Sequence, residues 1–202
     1  MPKSSTSPRN RILQGALVLL ERKGPHELSL REVARKAKIS PMAPYKHFKH
    51  KKDLLAALCE DGFNLLLQDF RLVSRTHLDP VQRFHMLGQA YVEFVLKHPA
   101  QSKLMFGGFI DAKEQEEYPC VKAAGDQCFD QLVQAIEYGQ HHGVMRKDPV
   151  DVMAAVIWST IHGFSMLWME KNFESTSGEQ TDKMKNQLLD YISFVYTRGL
   201  KP

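Results

Sequence analysis

The chain has 202 residues, 43% apolar and 25% charged, the composition of a soluble globular protein with room for one large domain or a small one joined to a larger one. Its net charge of +4 is uneven: residues 1–55 hold 13 Lys/Arg against 4 Asp/Glu and residues 56–202 hold 14 against 19, so a basic module facing nucleic acid or a membrane surface precedes an acidic remainder. No apolar run approaches the roughly 18 residues that span a bilayer, the N-terminus lacks the apolar stretch of a secretory signal, and Cys59, Cys120 and Cys128 form no Cys-x-x-Cys pair, which fits free, buried thiols in a reducing cytosol.

Residues 1–7 are Ser/Thr/Pro-rich and read as a disordered arm. Ser7-Pro8 is a cap followed by a first-turn proline, and Ile12, Leu13, Ala16, Leu17, Leu19 and Leu20 carry a helix from there to a stop at Gly24-Pro25. Ser29-x-x-Glu32 is a capping box, and Leu30, Val33, Ala34 and Ala37 line one face of a short second helix. Lys38-Ile39 make a turn before a third short helix announced by Ser40-Pro41, so residues 29–48 form a helix-turn-helix candidate.

A long helix is expected from Asp53 to Phe70, and Asp79-Pro80 starts another that breaks at His98-Pro99. The apolar piece Leu104-Met105-Phe106 ends at Gly107-Gly108, and a helix follows over residues 116–140 with Gly143 as its stop. Asp148-Pro149 repeats the cap-plus-proline signal ahead of residues 149–170, which are apolar nearly all round and therefore need cover on more than one side. Residues 181–198 carry the last stripe, on Met184, Leu188, Tyr191, Ile192 and Val195. With no strand-like alternation, the expected fold is all-α, an N-terminal three-helix module plus a helical bundle of about nine helices in total.

The run from Arg11-Ile12-Leu13 through residues 29–48, with Tyr45-Lys46-His47-Phe48, to Lys52-Asp53-Leu54-Leu55 resembles the DNA-binding domain of the TetR family of transcriptional regulators. Trp158-Ser159-Thr160-Ile161-His162-Gly163 also resembles the W-H-G signature of one group of that family's C-terminal domains. The resemblance implies a helix-turn-helix domain over 8–52 and a ligand-binding and dimerisation domain over 53–202. It also implies DNA contacts at Ser40, Tyr45, His47 and Lys51, and pairing of two copies through the last two long helices. The expected function is a cytoplasmic repressor that binds a palindromic double-stranded operator as a homodimer and is released by a small, largely apolar effector. A regulator that acts through a protein partner, or as an activator without a small ligand, is the alternative.

Physical chemistry assigns the contacts in more detail. A reading helix offers base edges its first exposed side chains, here Pro41, Met42, Tyr45, Lys46 and His47, while Ile39 and Phe48 turn into the core. Lys46 can reach guanine, His47 a base or a phosphate, and Met42 or Pro41 a thymine methyl, whereas Tyr45 suits a phosphate oxygen. Arg9, Arg11, Ser29, Arg31, Lys49, Lys51 and Lys52 complete the expected DNA-facing set. About six phosphate contacts per half-site would give a dimer a log K versus log salt slope near −10.

Two residues depart from the family pattern. Lys38 stands where many members have glycine, so a non-glycine residue is expected in a left-handed conformation. Pro44 lacks the N–H that would close the first hydrogen bond of the third helix on Ser40, so that helix should open as a 3₁₀-like turn or start late.

For the bundle the sequence supplies an inventory: Met86, Tyr91, Phe94, Phe106, Phe109, Trp158, His162 and Trp168 can wall an effector cavity or simply pack a core. His162 stands out as polar in an apolar helix, and a hydrogen-bonded core histidine or a dimer contact are its other readings. No phosphate loop, nucleotide-binding glycine motif, nucleophile elbow or metal-ligand spacing is present, and His141-His142 are adjacent rather than one helical turn apart, so no enzyme, metal or cofactor is expected.

Overall fold

The computed structural model describes residues 7–76, 79–110, 114–172, 183, 186–187, 189–192 and 194–199. Among these the chain is all-α, with eight α-helices: α1 Pro8–Glu27, α2 Leu30–Lys36, α3 Lys51–Ser74, α4 Pro80–Lys97, α5 Pro99–Phe106, α6 Glu114–Glu117, α7 Pro119–His141 and α8 Val150–Met169. A 3₁₀ turn, Pro44–Lys46, stands between α2 and α3, and a π turn, Val195–Gly199, closes the described C-terminal residues. The expected arm over 1–7 lies outside the described residues except for Ser7, and so does much of the last helix over 181–198.

The chain forms two compact units, residues 1–64 with 98–124, and residues 65–97 with 125–202. In the first, α1 packs on α2 and α5. Its core holds Ile12, Ala16, Leu20, Val33, Phe48, Leu54 and Leu58, joined by Leu104, Ile110 and Val121. Gly15 of α1 faces the end of α2, where a Cβ built on it would stand in ordinary contact, 3.4 Å, with Ala37. In the second unit α4 packs on α8, around Phe84, Ile136, Met145, Met153, Ala154 and Ile157.

The start signals explain most of the boundaries. Ser7 Oγ accepts the Asn10 N–H at 3.2 Å, and Asp79 Oδ1 accepts those of Val81 and Gln82 at 2.9 and 3.0 Å. In the capping box Ser29 Oγ accepts the Glu32 N–H and donates to the Glu32 carboxylate. Gly24, at φ 73°, breaks the first helix where the sequence stops it.

Four expectations need correction. Pro119 divides the region read as one helix over 116–140 into α6 and α7, because proline cannot continue a helical ladder. Asp148 does not cap α8, whose N-cap is Pro149 with no side-chain cap bond; the Asp148 carboxylate pairs instead with Arg146 at 3.0 Å. Cys59 and Cys128 are buried, with burial pushing each thiol up to about 12, but Cys120 is exposed. Finally, α8 is long and apolar enough, by length and composition alone, to cross a membrane. Its apolar run is broken by Asp151, Ser159, Thr160, His162 and Ser165. The three hydroxyls each bond the carbonyl four residues back, at 2.7–2.9 Å, which shields the polar group.

Candidate functional site

The segment expected to read DNA, residues 41–48, is not an α-helix. After α2 the chain turns through Lys38, whose φ of 54° is the left-handed conformation expected of a glycine substitute there. The Ile39 N–H bonds the Ala34 carbonyl at 3.0 Å and closes the turn. From Ser40 onward the backbone bonds are short-range: Ala43 to Ser40, Lys46 to Ala43 and His47 to Pro44, at 3.0–3.2 Å. Pro44, buried and without an N–H, cannot bond back to Ser40, so the segment settles into a 3₁₀ turn over Pro44–Lys46. Only Phe48 reaches back four residues, to the Pro44 carbonyl, and its ring enters the core.

This turn leaves Pro41, Met42, Tyr45, Lys46 and His47 exposed together, Met42 at 67%. Ser40, Lys49, Arg31 and Arg11 are exposed as well. Arg9 lies over the Phe48 ring at 5.7 Å, which holds this exposed cation beside the Pro44–Lys46 turn. Lys52 is half-buried. Ser29 is committed to the α2 cap, and the Glu32 it serves also binds Lys23 at 2.8 Å, a bond that holds the Glu32 carboxyl below its ordinary value. Lys51 is half-buried and donates from Nζ to the His26 carbonyl at 2.6 Å, closing the broken end of α1. Its ammonium keeps two further N–H donors for another acceptor.

Sequence reasoning missed Asp53 and Tyr118. Asp53 Oδ2 accepts the His50 N–H at 2.9 Å, and Oδ1 accepts the Tyr118 hydroxyl at 2.8 Å. A tyrosine 65 residues downstream leaves no mark in any local pattern.

The residues expected to wall a cavity fall in both units. Phe106 and Phe109 belong to the first unit, where Phe106 meets Phe63 edge-on at 5.6 Å and Phe109 lies 5.1 Å from the His26 ring. The other six belong to the second unit. There Tyr91 Oη stands 2.7 Å from His162 Nδ1 and also accepts a hydrogen bond from Trp158, whose ring lies 5.8 Å from His162 and 6.1 Å from Phe129. Burial alone keeps the His162 imidazole below its ordinary value and so neutral. Phe94 is buried on α4, Trp168 packs 5.5 Å from Phe164, and Met86 is exposed.

Residues 12–58 match the family model for bacterial regulatory proteins of the tetR family. Residues 84–192, more than half of the chain, match that for the tetracyclin repressor-like C-terminal domain. The chain belongs to the TetR family of transcriptional regulators. As a TetR-family protein it is a DNA-binding regulator and not an enzyme. A solved protein of unknown function from a Rhodococcus species is 29% identical, with a TM-score of 0.82, 98% of this chain and 100% of that one being covered. PfmR, a TetR family transcriptional regulator from Thermus thermophilus, shares the fold at 21% identity and a TM-score of 0.70, over 90% of this chain and 96% of that one. The transcriptional regulator FadR from Bacillus subtilis, solved in complex with stearoyl-CoA, does so at 12% identity and a TM-score of 0.75, over 94% and 98%. No curated protein matches the chain.

Proposed function

We propose that this TetR-family regulator is a cytoplasmic repressor that reads a palindromic operator as a homodimer and leaves it when a small, largely apolar effector binds. Residues 8–52 are the reading domain, and 53–202 pair the chain and take the effector. The observation that carries the reading is the joint exposure of Pro41, Met42, Tyr45, Lys46 and His47 on one proline-set turn, flanked by the exposed cations Arg9, Arg11, Arg31 and Lys49. Lys46 and His47 suit guanine and phosphate, Met42 and Pro41 a thymine methyl, and Tyr45 and Ser40 the backbone. Lys51 and Lys52 reach phosphate from the start of α3, whereas the Ser29 hydroxyl gives its proton to Glu32 and leaves the contact at the start of α2 to Arg31.

Pairing is supported by α8, which exposes Val152, Val156 and Leu167 at 48–55% in the single chain, alongside Tyr191 and Phe194 beyond it. The effector reading rests on Tyr91, Trp158 and His162, a polar trio in the second unit, with Met86, Phe94 and Trp168 of the same unit as its proposed apolar lining; in the first unit Phe109 packs on the core and Phe106 meets Phe63. The test is footprinting on DNA enriched by the protein from a random pool, at two salt concentrations, followed by a scan of apolar carboxylic acids and their coenzyme A thioesters for operator release. A twofold-symmetric footprint with a steep salt slope and release by one ligand class is expected. Indifference to sequence overturns the operator reading, and a footprint that no compound releases favours the partner-dependent regulator.

A further inference from the structure

Asp53 and Tyr118 meet within the first unit, and neither has a role in the assignments above. Asp53 is the third residue of α3, three residues beyond the end of the segment 41–50 that carries the proposed reading turn. One carboxylate oxygen caps the helix start at the His50 N–H, and the other takes the Tyr118 hydroxyl. Burial alone would raise the Asp53 carboxyl, but the bonds from His50, Tyr118 and the Lys49 N–H outweigh it and hold the group below its ordinary value, so it is ionised. Burial and the Asp53 charge push the Tyr118 phenol up to about 12, so it stays a donor. The Tyr118 ring and that of Phe109 both pack against the core that contains Phe48. His26, whose ring lies 5.1 Å from Phe109, takes the Lys51 ammonium on its carbonyl.

We propose that Tyr118 is a positioning residue for DNA reading: its phenol fixes the Asp53 carboxylate that caps α3, and through that cap it sets the angle at which residues 41–48 enter the groove. The proposal rests on the reading of 41–48 as the DNA-contacting turn. Tyr118 acts through Asp53 and makes no contact with a base or phosphate. Its loss therefore costs orientation, on which base readout depends, and spares the cations that supply non-specific binding.

The experiment compares the wild-type protein, Tyr118→Phe, Asp53→Asn and the double variant. Each is titrated with the duplex that the wild type enriches from a random pool and with a scrambled duplex of equal length, at two salt concentrations. Removal of one hydrogen bond to a charged acceptor predicts that Tyr118→Phe binds the enriched duplex about tenfold more weakly. It binds the scrambled duplex with wild-type affinity and an unchanged salt slope. The double variant is no weaker than Asp53→Asn, because the two residues act as one unit. Wild-type affinity of Tyr118→Phe for the enriched duplex, a parallel loss on both duplexes, or additive losses in the double variant would each overturn the role of Tyr118. A wild-type protein that enriches no duplex overturns the operator reading itself, and this role with it.

Discussion

The Tyr91 hydroxyl stands 2.7 Å from Nδ1 of His162, with the two rings edge-on and 6.2 Å apart. Tyr91 Oη accepts from Trp158, which leaves its own proton to donate to His162; Nδ1 is then the acceptor in the tautomer of the neutral ring that carries its proton on Nε2. Protonation of Nδ1 would remove that acceptor. The imidazole is below its ordinary 6.5 in the folded chain, so in the window below about 6.5 the unfolded chain takes up the proton first. Stability is therefore full above that value and falls as pH drops toward the folded-state pKa. His162→Gln keeps an acceptor for Tyr91 without titrating. Urea midpoints measured between pH 7.5 and 5 should fall for the wild type and stay flatter for the variant; parallel curves would contradict the assignment.

Lys38 holds a conformation that costs an L-residue about 1 kcal/mol. Lys38→Gly relieves it, and after the extra freedom of the unfolded chain is subtracted the gain should be about 0.5 kcal/mol. Denaturant melts read the gain. DNA titrations read whether Lys38 also meets a phosphate: in that case the salt slope falls by about 0.9 per half-site while stability rises.

Pro44 sets the phase of the reading side chains. A 3₁₀ turn advances about 120° per residue against about 100° for an α-helix, so conversion over three residues would rotate Lys46 by roughly 60°. Pro44→Ala restores an N–H that can bond the Ser40 carbonyl. The reading turn should then become helical, visible as new amide protection in hydrogen exchange. Affinity for the enriched duplex should fall several-fold while binding to scrambled DNA holds. An unchanged preference would show that Lys46 and Tyr45 do not read the groove from this turn.

What the sequence makes legible follows from how local each signal is. Ser7, the Ser29–Glu32 box and Asp79 act over two or three residues, and the structure uses each where the pattern puts it. The strain at Lys38 and the 3₁₀ turn at Pro44 follow from single-residue stereochemistry. Asp148 has the same local signature as Asp79, yet Arg146 takes its carboxylate, a competition between neighbours that spacing does not rank. The Tyr118–Asp53 bond and the Gln101 amide that donates to the Leu58 carbonyl at 2.9 Å join residues 65 and 43 positions apart. Such pairs appear only once packing has brought the helices together. The same holds for Phe106 and Phe109, whose aromatic character suits a cavity wall or a core equally well until their neighbours are known.

Val152, Val156, Gly163 and Leu167 follow one another at helical spacing along α8, and a Cβ built on Gly163 would meet nothing within 4 Å among the described residues. On the proposed pairing, a second α8 approaches this apolar stripe. Val156→Glu places a charge on it in both copies of a twofold pair. Each copy loses the burial of one valine, about 1.5 kcal/mol or more, and must in addition desolvate a carboxylate. The dimer constant should rise at least a hundredfold, since about 2.7 kcal/mol suffices for that factor. Sedimentation at micromolar concentration should then find monomers, and operator binding should weaken, because each monomer reads a single half-site. A stable dimer of Val156→Glu would place the pairing surface elsewhere on the chain.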